Sequence, residues 1–268
     1  MRNACLFLVL VVHLSTQAQS NATAEGAAFP SSKYSWKTPV DKVKKNILNT
    51  VLFEGSAYDM AYLQMSAQAV LPSKRNTCLQ VPHDEEHLII IKSGAVNISF
   101  GDSSWMLGSG SIALLMPDEK YTIRTPLEEP GYYYLMKYRS RSPADYARGK
   151  SSGGSCVKDW NKIPFRPHDR GGIRRYFDKP TAMCKRFEMH VTTLNVGLKS
   201  HEPHTHKAEE IVLMVEDSNG SRAKTEMQIG ENFFQGSAGD LYYIGSDISH
   251  AIRNDGGSPC TYFAYQFN

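Results

Sequence analysis

The feature that most constrains the fold is internal repetition of a strand unit. Glu85-Glu-His-Leu-Ile-Ile-Ile-Lys in the first half parallels Glu209-Glu-Ile-Val-Leu-Met-Val-Glu in the second. Gly110-Ser-Ile-Ala-Leu-Leu-Met-Pro parallels Gly239-Asp-Leu-Tyr-Tyr-Ile-Gly-Ser, and Tyr132-Tyr-Tyr-Leu-Met-Lys parallels Tyr262-Phe-Ala-Tyr-Gln-Phe. A repeated order at similar spacing means one supersecondary unit used twice. Its segments are short, rich in β-branched and aromatic residues, and separated by Gly, Pro, Asp and Ser turns. No long stretch keeps a helical period. The expectation is an all-β chain built of two tandem barrels.

At 268 residues the chain is long enough for two such units, each with its own core. Arg2 followed by an apolar run around Leu6 to Val12, then Ala18-Gln-Ser20, has the order of a cleavable export signal. The run is too short to span a bilayer. The expected organisation is a signal peptide over 1–20, a leader segment over 21–46 and an N-terminal barrel over 47–140. A linker poor in strand formers over 141–179 and a C-terminal barrel over 180–268 follow. The mature protein is thus expected to be secreted, periplasmic or in the secretory-pathway lumen. Cys78, Cys156, Cys184 and Cys260 could pair there or remain separate thiols. None forms a CxxC pair, which argues against a thiolate zinc site. The formal charge of +3 gives no reason to expect nucleic acid or an anionic membrane as partner. A small-molecule substrate is expected instead, and exposed strand edges leave a homodimer open.

The chemistry concentrates in the second half. His204 and His206 stand two apart, which on a strand puts both rings on one face. Glu210 lies four residues on, where a paired strand can return its carboxylate to that face. A glycine-led segment from Gly239 ends in His250 and Asn254 and could complete the set. Three imidazoles and one carboxylate form a borderline N/O donor set that suits one divalent transition metal, Mn, Fe or Zn, better than Ca or Mg. Four protein ligands leave coordination positions open for water or substrate.

These residues resemble the cupin superfamily: a glycine, HxH, a glutamate after three residues, and a later glycine-led strand ending in His and Asn. The resemblance implies a double-stranded β-helix (jelly-roll) in each half. It places His204, His206, Glu210 and His250 at the metal-ligand positions and Asn254 at the closing position. Gly245 stands where the family usually has proline, and Asp247 where it usually has glycine. In the first half the same alignment sets Gln80, Pro82, Glu86 and Tyr121 opposite the four ligands. That copy keeps only a carboxylate, so no metal is expected there. A register slipped by one brings in His83 and His87 at the cost of Glu86.

Among two-cupin proteins the chain resembles the (S)-ureidoglycine aminohydrolases, which hold metal only in the C-terminal half and release ammonia. Phe187-Glu-Met-His-Val-Thr-Thr-Leu is similar to the strand opening that family's second cupin. The ligand sets differ, because that family uses a Glu and a Gln where histidines stand here. The expectation is a metal-dependent hydrolase, lyase or isomerase acting on a small polar acid or amide. The alternatives are a metal-dependent dioxygenase and a non-catalytic module for small molecules or carbohydrate. His201, Tyr243, Tyr262 and Gln266 are the candidate catalytic residues, with His190 and Arg253 as further polar groups; Arg174 and Arg175 could hold a substrate carboxylate.

Overall fold

The computed structural model describes residues 28–215 and 224–268. The expected signal peptide and the first part of the leader lie outside them. Strands account for nearly all regular structure. In the first half they are β1 (Ser32–Ser35), β2 (Asp41–Lys44), β3 (Ile47–Gly55), β4 (Met60–Val70), β5 (Thr77–Gln80) and β6 (Glu86–Ser93). Next come β7 (Val96–Phe100), β8 (Ser103–Leu107), β9 (Ile112–Leu115), β10 (Lys120–Arg124) and β11 (Gly131–Ser140). A short helix α1 (Tyr146–Ser151) leads to β12 (Cys156–Lys158), β13 (Arg166–His168), β14 (Gly171–Lys179) and β15 (Phe187–Leu194). The second half closes with β16 (Glu209–Met214), β17 (Thr225–Ile229), β18 (Asn232–Gly236), β19 (Asp240–Ile244), β20 (His250–Asn254) and β21 (Cys260–Phe267).

Each half makes two antiparallel sheets. The first has a large sheet ordered β12-β9-β6-β11-β4-β3-β2 and a small one ordered β5-β10-β7-β8. The second has a large sheet β1-β19-β16-β21-β15-β14-β13 and a small one β18-β17-β20. Period-two alternation explains how the halves pack. Along β11, Tyr133 and Leu135 enter the core of the first barrel with Ile89, Ile98 and Ile123. Tyr134, Met136 and Tyr138 on the other face join a central core with Phe187, Phe263, Tyr265 and Phe267 from the second half. Tyr262 and Ala264, between those on β21, fill the second barrel. The two large sheets therefore pack face to face between two barrels. Each fully buried side chain there contributes roughly 1.5–3 kcal/mol.

The segments flanking the barrels stitch the halves together. β1, from the leader, pairs with β19 of the second barrel (Ser32 opposite Tyr243, Ser35 opposite Asp240). β12, from the stretch 141–179, pairs with β9 of the first (Cys156 opposite Leu114). The same stretch supplies β13 and β14, and β14 pairs along β15 from Gly171–Leu194 to Lys179–Phe187. It is therefore a structured part of both sheets. The pairing is tertiary, and weak strand propensity does not prevent it.

Two buried carboxylates repeat this reciprocity. Glu86 at the start of β6 accepts from the backbone N–H of Ala182 (2.7 Å) and Met183 (3.2 Å) and from the Tyr138 hydroxyl (2.6 Å). Burial pushes its pKa up, against the pull of those hydrogen bonds. Glu209 at the start of β16 accepts from the N–H of Tyr58 (2.8 Å) and Asp59 (3.0 Å) and from the Tyr243 hydroxyl. Both glutamates are fully buried, and each binds backbone of the opposite half. Cys78, Cys156, Cys184 and Cys260 are free thiols, Cys184 and Cys260 being buried. Among the described residues no helix is long and apolar enough to cross a membrane.

Candidate metal centre

The second barrel brings its chemistry to one cavity of about 260 Å³. β16 enters with Glu209 facing the central core and Glu210 facing the barrel. β20 begins at His250. The segment before β16 is not a regular strand: His204 forms an isolated antiparallel bridge with His250. Their backbones exchange two hydrogen bonds, His204 N–H to His250 O at 3.3 Å and the reverse at 3.1 Å. His206 follows in coil, and the Asp247 N–H donates to its carbonyl (2.8 Å). Asp247 has φ +59°, a left-handed turn residue where the superfamily usually has glycine. Aspartate tolerates that region, so the turn is kept.

Three imidazoles and one carboxylate converge. His204, His206 and His250 place ligand atoms within 4.8 Å of one another. His206 Nε2 lies 3.0 Å and His250 Nε2 3.1 Å from Glu210 Oε2. Two donors about 2.1 Å from one ion and at right angles to each other are themselves about 3 Å apart. The remaining nitrogens are held from behind: His206 Nδ1 against the Ala208 carbonyl (2.8 Å) and His250 Nδ1 against the Ile248 carbonyl (2.9 Å). Carbonyls only accept, so Nδ1 carries hydrogen in both rings and Nε2 turns toward the carboxylate. Burial works to raise the pKa of Glu210, yet the hydrogen bonds and charges of His206 and His250 outweigh it and hold the carboxyl at about 2. The Glu210 hydrogen bond raises His206, whereas burial lowers His204. The donor set fits a divalent transition metal.

Around the tetrad lie further polar groups. Gln266, opposite Glu210 on β21, donates from Nε2 to Glu210 Oε2 (3.3 Å) and stands 3.3 Å from His206 Nε2. His201 packs its Nδ1 3.0 Å from that of His204, and burial lowers its pKa. Tyr262 lines the cavity, its hydroxyl pKa raised by burial. Asn254 closes the barrel end by donating to the carbonyls of Leu194 (2.8 Å) and Ser258 (2.9 Å). Tyr243 is a correction to the sequence reading. Ile244, opposite Glu210, faces the barrel, so Tyr243 beside it faces the central core and bonds Glu209. Arg253 is exposed and paired with Asp255 at 2.8 Å, and Arg174 stacks on Trp160 and Phe165, 4.4 and 4.9 Å from the ring centres. Neither Arg253, Arg174 nor Arg175 lines the cavity.

Residues without a motif complete the wall. On β15, His190 Nδ1 lies 2.7 Å from Glu188 Oε1, and His190 lines the cavity. Carboxylate acceptance puts the proton on Nδ1 and leaves Nε2 as a free acceptor. Arg170 and His168 also line the cavity. Arg170 is anchored through Nη1 on the Ser200 carbonyl at 2.6 Å. His190 was already among the polar candidates of the sequence, whereas only the alternation of β15 could have singled out Glu188.

The first barrel corrects the alignment of the repeats. Glu86 lies opposite Tyr138 and His87 opposite Lys137, whereas Glu209 lies opposite Phe267 and Glu210 opposite Gln266. Glu86 therefore corresponds to Glu209, and His87 occupies the place of Glu210. Tyr121 pairs with Leu79 as His250 pairs with His204, which puts Leu79, not Gln80, in the place of His204. His83 is exposed. With Leu79 and Tyr121 in ligand places, the first barrel lacks the donor set of the second.

The fold is that of a two-cupin protein, two jelly-roll barrels in one chain. Comparison with solved structures agrees. The chain superposes on AerE from Microcystis aeruginosa with TM-score 0.62 at 15% identity, covering 88% of this chain and 98% of that one. It superposes on protein Ylba from E. coli with TM-score 0.61 at 14% identity, covering 84% of each chain. It matches the oxalate decarboxylase of Lactobacillus farciminis with TM-score 0.63 at 12% identity, covering 91% and 88%. Residues 80–175 match the model of the AraC-like ligand binding domain family. No curated protein matches the sequence.

Proposed function

We propose that this protein is an exported metal-dependent enzyme whose C-terminal barrel acts on a small polar acid or amide, as a hydrolase, lyase or isomerase similar to the ureidoglycine aminohydrolases. The observation that carries the reading is the convergence of His204, His206, Glu210 and His250 beside a cavity whose wall also carries His190, itself bonded to Glu188. A divalent transition ion held there would supply Lewis acidity at a substrate oxygen. The chain supplies the rest. His190, oriented by Glu188, presents Nε2 to take a proton and return it. Arg170, with Nε and Nη2 left over, can hold a substrate carboxylate. Gln266 steadies Glu210, and Leu194, Val212, Met227 and Ile252 exclude water from one wall. The oxalate decarboxylase among the structural neighbours acts on a small acid, which supports that substrate class. A second reading, a non-catalytic cupin that binds a small molecule or carbohydrate, is favoured by the match of residues 80–175 to the AraC-like ligand binding domain family.

The test is elemental analysis of residues 21–268 beside a His204→Ala/His250→Ala double variant. One transition metal per chain in the parent and none in the variant is expected. A metal-free parent after supplementation would overturn the enzyme reading. With metal present, ammonia release from ureidoglycine and turnover of oxalate separate catalysis from capture.

A further inference from the structure

We infer that the first barrel holds a second, metal-free binding site for a small carboxylate. This goes beyond the metal-centre reading and does not depend on it. The barrel contains a cavity of about 330 Å³. It sits where the metal cavity sits in the second barrel, because His87, Leu79 and Tyr121 line it in the places of Glu210, His204 and His250. Replacement of the metal donors has not filled the space with apolar side chains. Gln64, Gln68, His87 and Tyr121 line it, all of them buried.

The lining is held rigidly by hydrogen bonds. Gln64 Nε2 donates to Glu54 at 2.7 Å, and Gln68 is held between Asn49 (2.8 Å) and the Tyr133 hydroxyl (2.7 Å). His87, 5% exposed, has Nε2 3.3 Å from Glu85 Oε2, while its Nδ1 has no hydrogen-bond partner. A carboxylate only accepts, so the hydrogen sits on Nε2 and Nδ1 is a bare acceptor. Burial, which lowers the pKa of His87, keeps the ring neutral. That nitrogen has no surface open to the cavity, so His87 forms part of the wall and offers a ligand no acceptor.

Charge selects the rest of the ligand. The groups on the cavity wall that carry charge at neutral pH are Lys44, Lys137 and Glu85, burial holding the Tyr121 hydroxyl protonated. Glu85 is engaged by His87. Lys137, in the place of Gln266, makes no ion pair among the described residues. Two ammonium groups against one occupied carboxylate favour an anion, and the Lys137 ammonium would bind it by a charge-assisted hydrogen bond.

The test is calorimetric titration of the full mature chain with malate. Three proteins are compared: the parent, the His204→Ala/His250→Ala double variant and Lys137→Met. Malate is expected to bind parent and double variant alike. Loss of a charged partner weakens binding at least about tenfold, which is the expectation for Lys137→Met. The inference is overturned if the parent does not bind malate, if binding disappears in the double variant, or if Lys137→Met binds as the parent does. A metal-free parent with intact malate binding would sink only the metal-centre reading.

Discussion

Replacing Glu209 by Gln tests how the halves are joined. Glu209 is fully buried and accepts three hydrogen bonds, from the N–H of Tyr58 and Asp59 and from the Tyr243 hydroxyl. Its two oxygens meet the two consecutive backbone donors separately, Oε1 facing Tyr58 and Oε2 facing Asp59. Glutamine keeps one acceptor and turns an NH₂ group toward the other N–H. One buried donor then loses its partner and meets another donor. Hydrogen bonds to a charged group are worth about 1.5–3 kcal/mol each, and an unsatisfied buried donor costs about 1–3 kcal/mol. The loss expected for Glu209→Gln is therefore about 3–5 kcal/mol, in line with breaking a buried charged contact. Urea unfolding followed by tyrosine and tryptophan emission and by far-ultraviolet circular dichroism reads it out. Because the clasp joins the barrels, the two probes should also separate into two transitions in the variant. A destabilisation below about 1 kcal/mol with coincident transitions would refute the claim that this carboxylate holds the halves together.

Tyr243→Phe removes one of those bonds and should cost about 1–2 kcal/mol while leaving bound metal per chain unchanged; a drop in metal content would return Tyr243 to the site. In metal-free protein the Glu210 carboxyl titrates at about 2 instead of its ordinary 4.5. Its folded pKa is depressed, so its contribution is present above about pH 4.5 and is lost as pH falls toward 2. About 3 kcal/mol is at stake. Urea midpoints of chelator-treated parent should fall over that window more steeply than those of Glu210→Gln, and parallel curves would contradict the assignment. Glu188→Gln should shift the proton of His190 from Nδ1 toward Nε2, visible in imidazole nitrogen chemical shifts, without loss of metal; an unchanged spectrum would show that Glu188 does not orient the ring.

Much of the architecture was legible because glycine-led strands of similar length recur in the same order in both halves. The ligands His204, His206, Glu210 and His250 were legible as candidates because metal donors are rare residue types at restrictive spacings. Glu188, His190 and Arg170 carried no such spacing, since a wall is assembled from strands distant in sequence. The stretch 141–179 read as a connection because strand propensity says little about an edge strand whose partner lies elsewhere.

What the chain alone determined was composition, order and periodicity: two β units, and one donor set in the second. What tertiary structure decided was which alternate residue faces which core. The doublets Glu85-Glu86 and Glu209-Glu210 align equally well in either register, and Tyr242-Tyr243 offers the same aromatic to both faces. With a side-chain period of two, a shift of one residue exchanges barrel for interface. Packing of one large sheet against the other settled it, placing Glu86, Glu209 and Tyr243 between the barrels and His87 and Glu210 inside them.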